Sequence, residues 1–133
     1  MTNNTLAADS AADHILTADV VNGWVDNYVH AWTTNDGAEI AALFTADAEY
    51  HETPYDTDWI GRDEIVDGWQ SRWDWQQGGW EFSHSISAID GMTAVVTGIG
   101  TYVKLGTLDN VWTITLDDAG RCSHFQMLNT ERD

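Results

Sequence analysis

The spacing of apolar residues changes once along this chain, and that change limits the folds open to it. Before Gly78 and Gly79 the apolar residues recur every three or four positions, as on the buried face of a helix. After the two glycines, apolar and polar residues alternate, as in strands that bury one face. Helices followed by an antiparallel meander predict an α+β fold, in which the helices pack on one face of a curved sheet.

Three helices are predicted before the two glycines. Asp36 and Glu39 have capping-box spacing, which predicts a short second helix over 38–44, and Gly61 begins the third helix. A short strand is predicted over 48–52. The apolar stripe of the first helix, which has about four turns, is formed by Val21, Trp24, Val25, Tyr28, Ala31 and Trp32. The third helix presents Ile65, Trp69 and Trp73 on one side.

The second part of the chain is predicted to form strands joined by tight turns. Asp90 and Gly91 are a residue pair typical of two-residue hairpin turns. A second turn is predicted over 117–120, where two aspartates precede an alanine and a glycine. The predicted strands cover 80–88, 93–104, 108–116 and 121–129.

The chain is strongly acidic. It has 22 Asp and Glu residues against 5 Lys and Arg residues, which gives a formal net charge of −17. A surface of this charge repels phosphate backbones and anionic lipids, so neither nucleic acid nor a membrane is expected as a partner. Two explanations stay open: a high-salt cytoplasm, in which counterions screen the repulsion, and ordinary acidity.

The 133 residues predict a single domain over 17–133. Residues 1–16 are small, polar and acidic and lack the features of a signal peptide, so they are predicted to be a flexible arm. No apolar run approaches the ~18 residues of a membrane span. The one cysteine, Cys122, excludes an internal disulfide framework, and a cytoplasmic location is expected.

Four segments carry a resemblance to a known family. They are YVHAW at 28–32, ALFTADA at 42–48, GRDEI at 61–65 and LDDAGR at 116–121. Residues 18–130 resemble the NTF2-like superfamily, in its SnoaL-like and ketosteroid-isomerase-like branches. The resemblance implies an NTF2-like (cystatin-like) cone, with three N-terminal helices packed on a curved antiparallel sheet and an apolar pocket at the open end. It also implies a homodimer, which we expect to form through the sheet surface.

The resemblance supplies two candidate catalytic residues. In ketosteroid isomerase a tyrosine and a protonated aspartic acid bind the oxyanion, and a second aspartate is the base. Counted without a gap from ALFTADA, Tyr28 falls at the tyrosine position and Glu52 at the base position. Trp112 replaces the protonated aspartic acid, and its indole N–H can donate a hydrogen bond but not a proton. The alternatives are a core tyrosine and a carboxylate at a strand end.

His84 is the third candidate catalytic residue. It lies between Phe82 and Ile86 on the apolar side of its strand, and resembles the strand histidine of scytalone dehydratase, an acid–base group. The alternative is a core histidine with satisfied hydrogen bonds. His51 is expected to point away from Glu52, because side chains alternate along a strand. A metal triad of these two residues with His84 lacks an i,i+4 histidine pair, so no metal is expected.

Aromatic and amide side chains are predicted to line the pocket and bind substrate. The alternative is that the tryptophans fill the core of a small domain. The predicted lining residues are Trp24, Phe44, Tyr50, Trp69, Trp73, Asn110, Trp112, Phe125 and Asn129.

Two classes of function follow. The first is a cofactor-free isomerase, cyclase or dehydratase that moves a proton on a small apolar carbonyl or polyketide-like substrate. Tyr28 would polarise the substrate, Glu52 would be the base, and His84 would be the acid or a positioning donor. The second is a non-catalytic module that binds a hydrophobic ligand or dimerises. The two classes differ in whether Glu52 and His84 reach one cavity.

No glycine-rich phosphate loop is present, so no nucleotide cofactor is expected.

Overall fold

The computed structural model describes residues 16–53, 57–72, 80–103 and 106–131. Within these ranges the chain forms three helices and six strands. The helices are α1 (Ala18–Thr34), α2 (Gly37–Ala41) and α3 (Arg62–Ser71). The strands are β1 (Phe44–Thr53), β2 (Thr57–Ile60), β3 (Trp80–Asp90), β4 (Thr93–Tyr102), β5 (Gly106–Leu116) and β6 (Cys122–Glu131).

The six strands form one sheet in the order β2-β1-β6-β5-β4-β3. The three neighbouring pairs from β3 to β6 are antiparallel, as the meander predicts, and β3 and β4 are joined at Gly91 with a positive φ of 60°. β2 is also antiparallel to β1. β1, however, runs parallel to β6, so the first and last long strands of the chain lie side by side in the middle of the sheet.

Local capping explains where α1 begins and ends and where α2 begins. The Thr17 side chain accepts a hydrogen bond from the Val20 N–H at the start of α1, and Asn35 ends that helix in the left-handed conformation at φ 56°. Asp36 Oδ1 then accepts hydrogen bonds from two backbone N–H groups at the start of α2. The prediction that Asp36 begins the second helix is therefore confirmed.

Three features of the predicted architecture are wrong. The chain has one long helix and two short ones rather than three N-terminal helices, because α3 follows β1 and β2. The second helix ends at Ala41 and a ten-residue β1 begins at Phe44, where the sequence predicts helix to 44 and a strand of five residues. The sheet is mixed rather than antiparallel, because β1 pairs with β6.

Aromatic rings fill the core between α1, α3 and the inner face of the sheet. Phe44, Trp69 and Phe125 are completely buried. Trp24 of α1 packs against Phe125 of β6 at a centroid distance of 5.9 Å. Leu16, which the sequence assigns to the arm, is buried and donates its N–H to Gly91 O at 2.8 Å, whereas residues 1–15 lie outside the described part. No helix in the described ranges is long and apolar enough to cross a membrane.

Candidate functional site

A small cavity lies between α1, the end of α3 and the inner face of the sheet. Its volume is about 30 Å³, enough for about one water molecule. A carboxylate, a guanidinium, two amides and three phenols line it, which distinguishes it from the aromatic core behind it. The lining residues are Tyr28, Trp32, Tyr50, Glu52, Arg72, Tyr102, Leu108, Asn110, Met127 and Asn129.

Glu52 is the carboxylate of this cavity. It lies near the end of β1, where the alternation of the strand directs Tyr50 and Glu52 inward and leaves His51 on the opposite face, as predicted. The Glu52 side chain is only 4% exposed. Its Oε2 accepts a hydrogen bond from Asn129 Nδ2 at 3.2 Å, and its Oε1 forms an ion pair with Arg72 Nη1.

Arg72 is one of five lining residues that the sequence patterns did not indicate, the others being Trp32, Tyr102, Leu108 and Met127. Arg72 stands at the C-terminal cap of α3, and its side chain is 13% exposed. The guanidinium donates to Glu52 and to Thr57 Oγ1 and lies 4.5 Å from the ring centre of Trp59. One signal was available: in a chain with 22 acidic residues, five basic residues are few enough that each is a candidate partner for a buried carboxylate.

Tyr28 and Tyr50 form a buried pair of phenols beside the carboxylate. Their hydroxyl oxygens are 2.8 Å apart. Burial, and next the negative charge of Glu52, raise the pKa of both tyrosines well above the ordinary value of 10.0, so both are neutral at physiological pH. The pair has two hydroxyl hydrogens and uses one between its oxygens, so the other is available to a further acceptor.

The Asn110 amide and the Trp32 indole N–H are two further polar groups in the cavity wall. Asn110 Oδ1 accepts a hydrogen bond from Trp112 Nε1 at 3.0 Å, which fixes the amide so that its Nδ2 faces Leu108 O at 3.4 Å. Trp32 also lines the cavity, and its buried indole N–H has no acceptor among the described residues. A buried donor without a partner is uncommon in proteins, and it is available to an oxygen atom of a bound molecule.

The structure brings together only part of the predicted site. Of the candidate catalytic residues, Tyr28 and Glu52 line the cavity, and so do Tyr50, Asn110 and Asn129 of the predicted binding residues. The other described members of that set are buried in the core behind the cavity, and Trp73 lies outside the described residues. These core residues are Trp24, Phe44, Trp69, Trp112 and Phe125.

The structure does not place His84 beside Glu52 in this cavity. Its Nε2 lies 3.0 Å from Asn22 Oδ1 on α1, and its ring stacks on Phe82 at 5.9 Å. Phe82 in turn stacks on Trp112 at 4.7 Å. His84 therefore lies at the far side of this aromatic stack and is not among the residues that line the cavity.

Cys122 is a buried thiol away from this cavity. Burial raises its pKa to about 12, and its Sγ lies 3.2 Å from His124 O. A thiol with this pKa is not a nucleophile at neutral pH.

Residues 25–126 match the SnoaL-like domain family. The chain belongs to this family. The SnoaL-like match covers α1 from residue 25 onward, α2, α3, β1 to β5 and the first half of β6. It includes all of the residues that line the cavity except Met127 and Asn129. No curated protein matches the chain.

Solved structures of this NTF2-like, cystatin-like fold are similar at low sequence identity. A protein of Kribbella flavida DSM 17836, described as a candidate ketosteroid isomerase, is 20% identical with a TM-score of 0.66, covering 87% of this chain and 82% of that one. A protein of unknown function from Methylobium petroleophilum PM1 is 16% identical with a TM-score of 0.67, covering 90% and 81%. An epoxide hydrolase of M. tuberculosis described as LEH-like is 18% identical with a TM-score of 0.62, covering 85% and 84%.

Proposed function

We propose that this SnoaL-like protein is a cofactor-independent enzyme that moves a proton on a small carbonyl compound bound at the Glu52 cavity. One observation carries the proposal: a buried carboxylate and two neutral phenols line the same cavity. Proton abstraction next to a carbonyl needs a base at the carbon and a hydrogen-bond donor at the oxygen, where negative charge develops.

Glu52 is the base in this proposal. An ionised carboxylate has about four acceptor positions, and Arg72 and Asn129 occupy one on each oxygen. Acceptor capacity therefore remains for a substrate proton. The two donors also hold the carboxylate in one orientation, as a base that must meet a particular C–H bond requires.

Tyr28, together with Tyr50, is the donor to the carbonyl oxygen. The raised pKa values keep both phenols neutral, so the pair stabilises a developing oxyanion by donating a hydrogen bond without losing its proton. The Trp32 N–H, which has no acceptor in the described part of the chain, offers a second donor to the same molecule. His84 has no role in this step, because it lies outside the cavity.

The substrate is smaller than a polyketide-like molecule. The aromatic side chains that were expected to bind a flat apolar ligand are packed against each other, and the free volume is about 30 Å³. A ligand enters by moving the cavity walls that are only partly buried, such as Tyr102 and Arg72. A few heavy atoms with one carbonyl group match the two apolar and eight polar or aromatic lining residues better than a multi-ring compound.

The exchange of carbon-bound hydrogen in D₂O tests this function without knowledge of the final product. A panel of small ketones and enones is incubated with the protein, and deuterium incorporation next to the carbonyl is followed by NMR. We expect the wild-type protein to exceed the buffer rate, and Glu52→Gln to lower that excess by about 10²–10⁴-fold. Glu81→Gln, the same change at an exposed strand position, is the matched control and retains the rate.

A second variant keeps this test interpretable if Glu52→Gln folds poorly. Tyr28→Phe removes only a hydroxyl and is expected to lower the exchange rate by about 10²-fold. Circular dichroism checks that each variant has the wild-type fold. Exchange no faster than buffer with the whole panel, or an undiminished rate in both variants, contradicts the proposal.

A non-catalytic role in dimerisation is the second candidate, and exposed apolar residues on the outer face of the sheet favour it. Ile99, Val111 and Leu128 are 37%, 38% and 50% exposed on neighbouring strands. We propose that this face forms a homodimer. Light scattering is expected to show a dimer for the wild-type protein and a monomer for Leu128→Glu. A wild-type protein that is strictly monomeric at micromolar concentration contradicts the proposal.

The cytoplasmic location and the single domain stay predictions.

A further inference from the structure

Four side chains with metal-binding or carboxylate chemistry meet on the outer face of the sheet, on the side of β1 away from Glu52. Glu49 and His51 are two residues apart on β1, His124 is paired with Glu49 on the neighbouring β6, and Asp58 is paired with His51 on β2. One ligand atom each from Glu49, His51 and His124 lies within 4.8 Å of the others.

The hydrogen bonds of His51 orient its ring toward the centre of this cluster. Its Nδ1 lies 2.5 Å from Asp58 Oδ1, and because an ionised carboxylate only accepts, Nδ1 carries a proton and donates it. Its Nε2 then faces Glu49 Oε1 at 3.0 Å. A neutral imidazole nitrogen and a carboxylate are both acceptors, so a cation, either a proton or a metal ion, belongs between them.

We propose that Glu49, His51 and His124 bind a divalent transition-metal ion, with Zn²⁺ as the representative. Two imidazoles and one carboxylate are a known zinc donor set, and a carboxylate behind a ligating histidine is its usual second-shell partner. Donor atoms of a tetrahedral zinc site lie about 3.4 Å apart, so small side-chain rotations bring the three ligand atoms, now within 4.8 Å of one another, to this spacing. This site departs from the expectation of a metal-free protein.

The surroundings favour a cation at this position. The three ligand residues are partly buried, which leaves solvent access for the ion and for a fourth ligand such as water. The net charge of −17 raises the local concentration of cations around the whole molecule. The proposal is independent of the Glu52 cavity, because the ligand side chains and Glu52 lie on opposite faces of β1.

A metal ion here would join β1 to β6, the one parallel strand pair in the described sheet. These strands are far apart in sequence, and an ion bound only by the folded chain stabilises it by mass action. The melting temperature therefore reports on the site directly, without any assumption about catalysis.

The test measures ZnCl₂ binding by isothermal titration calorimetry and melting temperature, starting from protein stripped with EDTA. We expect one Zn²⁺ per chain and a higher melting temperature, with affinity lowered more than 100-fold in His51→Gln and in His124→Gln. Asp58→Asn removes only the second-shell carboxylate and is expected to weaken binding about 10–100-fold.

His30→Gln is the matched control. His30 is an exposed histidine paired with Glu39 at 2.7 Å, and no third ligand joins them among the described residues, so its replacement should leave zinc affinity unchanged. Circular dichroism of the EDTA-treated variants checks that each has the wild-type fold, because the ligand residues are partly buried. No saturable zinc binding by the wild-type protein, or binding that survives the double change His51→Gln/His124→Gln, overturns the proposal.

Discussion

The two phenols beside Glu52 show how burial sets the chemistry of a single residue. Tyr28 and Tyr50 are fully enclosed, and their pKa values are raised first by burial and then by the charge of Glu52. In the unfolded chain both titrate near 10. The folded state therefore binds their protons more tightly, and its stability is full below pH 10 and falls as the pH rises above that value.

Alkaline titration checks the raised pKa values of Tyr28 and Tyr50 and the loss of stability that follows from them. The absorbance of ionised tyrosine should show these two residues titrating together with unfolding, and Tyr28→Phe/Tyr50→Phe should lose less stability above pH 10 than the wild-type protein. Normal titration of all four tyrosines near pH 10 in folded protein contradicts the buried pair.

The ion pair of Glu52 and Arg72 gives a second prediction at the residue scale. Glu52→Gln leaves the guanidinium without its carboxylate in a nearly buried position, and should cost on the order of 2–3 kcal/mol in urea unfolding. Arg72→Gln should lower the free energy of unfolding by a similar amount, because it leaves the buried Glu52 carboxylate without its guanidinium. In Glu52→Gln/Arg72→Gln neither charge is left unpaired, so the loss should be smaller than the sum of the two single losses. Strictly additive losses contradict the ion pair.

At the scale of the elements, local signals were predictable and long-range pairing was not. Asp36 at a helix start and Gly91 in a hairpin act through neighbouring residues, so the sequence indicates them directly. The pairing of β1 with β6 joins residues about 75 positions apart, and no period or turn signal encodes it. β2 has only four residues, too few for a recognisable alternation.

The candidate site, too, could be predicted from the sequence only in part. Tyr28, Tyr50 and Glu52 follow from helix and strand periodicity together with the resemblance. Arg72 enters the cavity only because α3 ends opposite β1, a tertiary fact. His84 has the expected inward direction, but the aromatic stack between it and the cavity depends on packing that alternation does not reveal.

Packing between β3 and β4 gives a prediction for these elements. A Cβ on Gly98 would lie 2.3 Å from Phe82 Cζ, and Phe82 is the ring that stacks on Trp112. Gly98→Ala should therefore destabilise the protein by about 1–3 kcal/mol. Gly23→Ala is the control, because Gly23 is exposed on α1 with nothing within 4 Å of the added carbon, and should stabilise by about 0.5–1 kcal/mol. If denaturant unfolding shows the same change in the free energy of unfolding for both variants, the close contact between Gly98 and Phe82 is contradicted.

At the scale of the whole molecule, the net charge of −17 dominates. Like charges repel each other most in the compact state, and salt screens this repulsion. The melting temperature should rise between low and molar KCl, measured by calorimetry with EDTA present to exclude bound metal. A melting temperature that stays constant or falls with increasing KCl contradicts adaptation to high salt and leaves ordinary acidity as the explanation of the net charge.

The central claim is that the polar cavity of Glu52, rather than the aromatic core, is where a small molecule binds. A crystal structure of the protein with the ketone that gives the fastest deuterium exchange tests it most directly. We predict the carbonyl oxygen at about 2.6–3.2 Å from a phenol oxygen of Tyr28 or Tyr50, with the exchanging carbon facing the Glu52 carboxylate. A ligand bound among the core tryptophans or on the outer face, with the Glu52 cavity unchanged, would contradict the claim.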